Sequence, residues 1–201
     1  MKGDGPLPDL RASLTTALCT EAAPSSDYDL NPGQLPPAGE LRPAGVLAAF
    51  RADTGGLILT KRASGLRHHP GQIALPGGKV EREDPDTVTA ALREAHEEVG
   101  LDPARVEVLG CLPPHRTSTG FAMVTVIGLI DGPFEPVPEW GEVDEVFEVP
   151  FAHIANPAHY RLERRPWRGS WRHYYTAPWG PYYIWGATAR VLHSLAVRLP
   201  G

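Results

Sequence analysis

Hydrophobic and polar positions divide the chain into a run of short strands with helices placed at the start, the middle and the end. Leu10, Leu14 and Leu18 recur at helical spacing and predict a short amphipathic helix around Asp9 to Thr20. The stretch APSSDYDLNPGQLPPAGELRP that follows is dense in Pro, Gly and Ser and reads as an ordered surface loop or a flexible lead-in. Two apolar runs, Ala44 to Arg51 and Gly56 to Lys61, predict strands, and Asp53-Thr54-Gly55-Gly56 between them is a hairpin signal. After a basic connection, Ile73-Ala74-Leu75 is a short strand that runs into the turn Pro76-Gly77-Gly78. Val106 to Leu112, Phe121 to Ile130 and Val143 to Val149 predict further strands, with Pro150 ending the last. Phe121 to Ile130 is apolar almost throughout and is therefore expected at the centre of the sheet. From His159 to Tyr183 the pattern is strand-like but broken by turns and rich in Trp, Tyr and Arg. Its aromatic side chains either fill a second side of the core or offer one or two rings to stack on a base. A closing helix over Gly186 to Leu199 puts Ala189, Leu192, Leu195, Ala196 and Leu199 on its inner face.

Between these elements lies Leu75 to Leu101, whose second half predicts one more helix. Asp84 suits its N-cap, Pro85 the first helical position, and Asp86 the positive end of the dipole. Gly100 supplies a left-handed terminator, with Leu101 packing back. Val88, Leu92, Ala95 and Val99 share the expected core side. Glu94, Glu97 and Glu98 stand at i, i+3 and i+4 on the other, where they repel one another and face the negative end of the dipole. Arg93 relieves part of this through Glu97, and hard divalent cations such as Mg²⁺ would relieve the rest. The plain alternative is a solvated acidic face. Small Ala90 and Ala91 beside the carboxylates, and a glycine turn that lets backbone approach a ligand, weigh against it. Strands on both sides of a central helix, closed by a terminal helix, fit a mixed sheet covered by helices, an α/β (α+β) architecture.

Gly78, five residues, Asp84, eight residues, then Arg93-Glu94-Ala95-His96-Glu97-Glu98-Val99-Gly100-Leu101 resembles the Nudix box, G-x5-E-x7-R-E-U-x-E-E-x-G-U. Asp84 replaces the usual Glu, one extra residue precedes Arg93, and Ala95 is small for the aliphatic position. The preceding stretch Ile58-Leu59-Thr60-Lys61-Arg62-Ala63-x3-Arg67-x3-Gly71-x3-Leu75-Pro76-Gly77-Gly78 resembles the signature of the coenzyme A (CoA) pyrophosphatase branch, in which both departures around Asp84 are usual. Tyr183 to Ala189 is also similar to that branch, whereas Val124-Thr125 stands where the branch commonly has Thr-Pro. The resemblance covers roughly Ala44 to Leu199.

This resemblance implies a Nudix fold, with the box helix carrying the metal-binding carboxylates. It also implies Mg²⁺- or Mn²⁺-dependent hydrolysis of CoA to 4′-phosphopantetheine and adenosine 3′,5′-bisphosphate. Glu94, Glu97 and Glu98 are the expected metal ligands. Glu97 or Glu98 inside the box, or Glu145 outside it, activates the water. Arg93 orients the carboxylates, while Arg62 and Arg67 clamp phosphate and Gly77 and Gly78 approach the substrate. For Glu145 a solvated rim position stays equally open, and His68-His69 stand outside the catalytic set. A Nudix hydrolase of ADP-ribose, NADH or a dinucleoside polyphosphate is the nearest rival. A non-catalytic Nudix-fold binding protein is the second, opposed by the complete set of box glutamates.

Composition narrows the setting more than the chemistry. With 201 residues, 42% hydrophobic and 21% charged, one globular domain over residues 44–201 is expected, preceded by a helix and loop lead-in over 1–43. Cys19 and Cys111 lie in no motif, and MKGDGPLPDL lacks the parts of a signal peptide. A reduced cytoplasmic protein acting on a small nucleotide, with no membrane or nucleic-acid partner and either monomeric or homodimeric, is the expectation. The net charge of −5 is unevenly spread. Thr54 to Val80 has no acid, Glu81 to Glu98 has seven acids against two bases, Gly132 to Glu148 has six acids and no base, and residues 161–172 hold five Arg against Glu163. Such blocks suit a site that needs both cation ligands and anion clamps, or else separate solvated surfaces.

Overall fold

The computed structural model describes residues 9–34, 39–167 and 169–200. In chain order these form α1 (Leu10–Cys19), β1 (Ser25–Ser26), β2 (Arg42–Arg51), β3 (Gly56–Arg62), β4 (Ile73–Ala74), β5 (Gly77–Lys79) and α2 (Thr87–Val99). Then follow β6 (Val106–Cys111), β7 (His115–Arg116), β8 (Phe121–Ile130), β9 (Val143–Pro150), α3 (Phe151–Ile154), β10 (Arg161–Trp167), β11 (Ser170–Thr176) and α4 (Gly186–Ala196).

Nine strands make one mixed sheet, ordered β1-β7-β8-β2-β3-β4, with β5 also on β2, β6 on β8 and β9 on β3. β2 and β8 run parallel from Arg42↔Phe121 to Arg51↔Ile130, so β8 is central, as its apolar run predicts. Successive side chains on a strand point to opposite faces, and β2 uses this to build two cores at once. Val46, Ala48 and Phe50 join Leu57 and Leu59 of β3 under α1, α3 and α4. Leu47 and Ala49 join Ile58 under α2. The sheet is therefore sandwiched between helices, with α2 against one of its faces.

Several expectations shift. α2 begins at Thr87, because Asp86 caps it by accepting from Thr89 N at 2.7 Å. Asp84 is drawn away from the cap by Arg93. The buried side of α2 is Ala90, Ala91, Ala95 and Val99 together with Glu98, while Val88 and Leu92 are only partly covered. Small residues occupy the contact because the helix lies close against β2. Gly77 and Gly78 of the expected turn Pro76-Gly77-Gly78 lie instead with Lys79 in a short strand that pairs with Ala44 to Val46. The aromatic stretch forms a separate antiparallel hairpin, β10–β11, rather than a full second core wall. Tyr175, Trp179 and Tyr182 pack on the core, but Trp167, Trp171 and Tyr183 are exposed. α4 ends at Ala196, three residues early.

The described part of the lead-in is built into the domain. Leu14 and Ala17 are fully buried in the main core, and β1 pairs with β7. Asp27 receives hydrogen bonds from His115, Ser118 N and Arg172, and Asn31 bonds the backbone of His173 in both directions.

Candidate active site

The β5 turn fits between β2 and α2 through the smallness of two glycines, Gly77 and Gly78. A side chain at Gly78 would put Cβ 2.4 Å from Glu94 Oε1, and one at Gly77 (φ +150°) would lie 2.4 Å from the Gly45 carbonyl oxygen. With glycine at both positions, the Gly77 N–H donates to Glu98 Oε2 at 3.1 Å. Glu98 is 3% exposed, and its other oxygen lies 3.7 Å from Arg62 Nη1. Burial pushes the Glu98 carboxyl up to about 7, with the charges of Glu94 and Glu142 adding and the Gly77 N–H and Arg62 opposing. Glu94 is raised as well, chiefly by burial and against the pull of Arg93.

Arg93 is the counter-cation of this cluster. Its Nε and Nη2 grip Asp84 bidentately at 3.0 and 2.9 Å, and its Nη1 reaches Glu97 at 2.9 Å and Glu94 at 3.2 Å. The hydrogen bond from Arg93 holds Asp84 below the usual carboxylate range. Arg93 thus touches three carboxylates, the geometry that an orienting role requires, and Glu97 remains the exposed member.

Arg62 sits at the end of β3 with its Nε buried and without a hydrogen-bond partner. Arg67 is exposed in the connection between β3 and β4. Glu145 lies on β9 opposite Lys61 and accepts a hydrogen bond from the Tyr182 hydroxyl. Its charge is not among those that act most on Glu94 or Glu98.

Sequence reasoning missed Glu142, whose charge does act on both. It closes a loop that docks on the end of α2 through Val137 N to Val99 O and Glu139 N to Glu98 O, at 2.9 and 3.0 Å. The acid-only block from Gly132 to Glu148 carried the signal, but nothing in it singled out Glu142 over Glu145. The other charge blocks part ways. Arg62 meets the box acids, whereas the hairpin arginines stack on aromatic rings, Arg164 on Trp171 at 4.6 Å and Arg165 on Trp185 at 4.3 Å.

A family model described as the NUDIX domain matches residues 41–170. The chain belongs to the Nudix family. The uncharacterized Nudix hydrolase NudL of Enterobacter sp. (strain 638) is 40% identical over 159 residues, which cover 79% of this chain and 83% of that protein. NudL of Cronobacter sakazakii is 40% identical over 161 residues, with the same two coverages. Among solved structures, the MutT protein from Methanosarcina mazei Go1 is 19% identical, with a TM-score of 0.45 over 57% of this chain and 80% of that one. The sandwich of mixed sheet and helices is the Nudix fold, and as a Nudix hydrolase the protein acts on phosphorus-containing anhydrides.

The Nudix box of this chain suits a divalent cation by its chemistry. Its donors are hard carboxylate oxygens, and burial and mutual charge raise two of them, Glu94 and Glu98, so a cation would be gained at favourable cost. Among the described residues no three such side chains converge at ligand spacing, and Arg93 bonds both Glu94 and Glu97. The orphaned Arg62 Nε offers a donor for a phosphate oxygen in the same place. No helix among the described residues is long and apolar enough to cross a membrane.

Proposed function

We propose that the protein is a Mg²⁺- or Mn²⁺-dependent pyrophosphohydrolase that cleaves the diphosphate of CoA or a CoA derivative into 4′-phosphopantetheine and adenosine 3′,5′-bisphosphate. The observation that carries the reading is the pairing of Arg62 with Glu98. It joins the arginine of the stretch resembling the CoA pyrophosphatase signature to the last glutamate of the Nudix box, beside the glycine turn that closes that signature.

Glu94 and Glu98, with Glu97, would hold the cation, which supplies neutralisation of the diphosphate and polarisation of a water. For Glu94 and Glu97 this means exchanging Arg93 for the ion, after which Arg93 keeps Asp84 and stays in place. Arg62, with its Nε free, binds a diphosphate oxygen. The water oxygen bonds to one phosphorus, the bridging oxygen departs with the other phosphate, and the water proton passes to a carboxylate. Glu142 is carried by the loop docked on the end of α2, its charge acts on both Glu94 and Glu98, and it is the acceptor that we favour ahead of Glu145, which Tyr182 engages. Arg67 joins the clamp only from its exposed loop.

Chromatographic product analysis after incubation with CoA, dephospho-CoA, ADP-ribose and NADH, each with Mg²⁺ or Mn²⁺, tests the reading. Metal-dependent release of adenosine 3′,5′-bisphosphate from CoA, faster than any other cleavage, is expected. Faster cleavage of ADP-ribose or NADH would overturn the substrate, and no cleavage of anything would leave a binding protein.

A further inference from the structure

A cleft of about 310 Å³ opens beside β3 and β4, lined by Lys61, Gln72, Glu145, Tyr182, Tyr183 and Trp185 among others. Its volume is at the lower end of small-molecule sites, enough for a nucleoside and one phosphate. It lies next to the carboxylate site along the chain itself. Lys61 precedes Arg62, and the backbone of Arg62 bonds Gln72 O at 2.9 Å and Gly71 N at 3.0 Å. Consecutive Cα atoms are about 3.8 Å apart, and the pairing of β3 with β9 shifts register between Lys61 and Arg62. A ligand in the cleft therefore has its neighbouring group within reach of Arg62 and Glu98.

The lining has a definite chemistry. Tyr182 is fixed, stacked on Phe147 with centroids 3.5 Å apart and 7° between planes. Trp185 is held by Arg165, whose guanidinium lies 4.3 Å from the ring centroid. Tyr183 donates to Glu163 at 2.7 Å. Rings held in this way offer area for a flat base at small entropic cost. The facing acid, Glu145, is engaged by Tyr182, and no ion pair among the described residues occupies the Lys61 ammonium. Gln72 Oε1 is bonded to His69, which leaves its amide N–H groups for a ligand. Aromatic walls, an ammonium held in no ion pair among the described residues and a free amide recognise a nucleoside that carries a phosphate monoester.

We infer that this cleft binds the 3′-phosphorylated adenosine half of the substrate, with Lys61 reading the 3′-phosphate and the Tyr182–Trp185 segment taking the base. The inference rests on the CoA reading and assigns the 3′-phosphate to Lys61 rather than to Arg67, which is not among the residues lining the cleft.

Calorimetric titration of the metal-free protein with AMP, adenosine 3′,5′-bisphosphate and adenosine 2′,5′-bisphosphate tests it. The wild type should bind the 3′,5′-bisphosphate about tenfold more tightly than AMP, close to 1.4 kcal/mol. Lys61→Ala should remove that preference, Lys61→Arg should keep most of it, and Arg67→Ala should leave it unchanged. The inference is overturned by an unchanged preference in Lys61→Ala, by a preference lost in Arg67→Ala, by tighter binding of the 2′,5′-isomer, or by no binding at all. Hydrolysis of CoA and dephospho-CoA by the same preparations separates the two failures. A wild type that cleaves neither sinks the substrate reading. A wild type that cleaves CoA, with Lys61→Ala raising KM equally for both, sinks only the assignment of Lys61.

Discussion

Glu98 hangs from the backbone of Gly77, its Oε2 accepting the Gly77 N–H at 3.1 Å while its Oε1 faces Arg62 at 3.7 Å. The last carboxylate of the box helix is thereby fixed by a strand that precedes the helix, and its position depends on how closely strand and helix approach. That approach is set by glycine, and the first prediction follows from it.

Gly78→Ala would drive a methyl group to 2.4 Å from Glu94 Oε1 and 2.5 Å from its carboxyl carbon. The carboxylate is the end of a flexible side chain, so the fold survives and Glu94 moves. Turnover should fall at least about tenfold, since misplacing a reacting group by an ångström costs up to about a hundredfold. The melting temperature should drop only slightly. Steady-state kinetics beside a thermal melt checks both, and normal turnover would show that Glu94 is free to leave its present place without consequence.

Glu98→Gln keeps the shape and an oxygen for the Gly77 N–H but removes the charge. Metal-dependent turnover should fall by about two orders of magnitude or more, the scale expected when a group acting on the transition state is lost. The metal-free protein should melt no lower than wild type, because a carboxyl that burial pushes up to about 7 contributes no stability as an anion at neutral pH. Near-normal turnover at saturating Mg²⁺ would remove Glu98 from the ligand set.

Arg93 makes a bidentate bond with Asp84 and reaches two further carboxylates, a task that a lysine ammonium cannot perform. If the arginine arranges the acids without touching substrate, Arg93→Lys should lower both stability and kcat, while KM for the proposed substrate CoA changes less than about threefold. A rise in KM with kcat intact would assign Arg93 to the substrate instead.

Much of this was legible in the sequence because period and spacing encode it. Strands at Phe121 to Ile130 and Val143 to Val149 and the stop at Gly100 follow from local chemistry, and Gly100 does take the left-handed conformation, with φ +71°. The three glutamates at i, i+3 and i+4 were visible as a face. Their unequal burial was not: Glu98 is buried and Glu97 exposed because β5 and the loop ending at Glu142 cover one edge of the helix. Asp84 was misread as a cap because an aspartate before a helix has the same local signature whether it bonds backbone or a distant arginine. Glu142 and Lys61 gain meaning only when the loop and strand that carry them are folded against the site, a long-range fact that no local pattern holds.

The lead-in carries a last consequence, in its dependence on acid. Burial would raise Asp27, but hydrogen bonds from His115 and Ser118 outweigh it and hold its carboxyl below the ordinary 3.8. A carboxyl depressed on folding binds fewer protons in the native than in the unfolded state at low pH, so its contribution to stability is present above about 3.9 and is lost as pH falls through the folded value. The same carboxylate ties β1 to β7 and, through Arg172 at 3.0 Å, to the β10–β11 hairpin. Asp27→Asn should therefore lower the melting temperature at neutral pH, with the gap from wild type shrinking as pH falls below about 4, where the unfolded carboxyl takes up its proton before the folded one. Melts recorded from pH 7 to pH 3 check this. A gap that stays constant over the whole range would mean that Asp27 acts by shape and not by charge, and that the lead-in is not latched by its carboxylate.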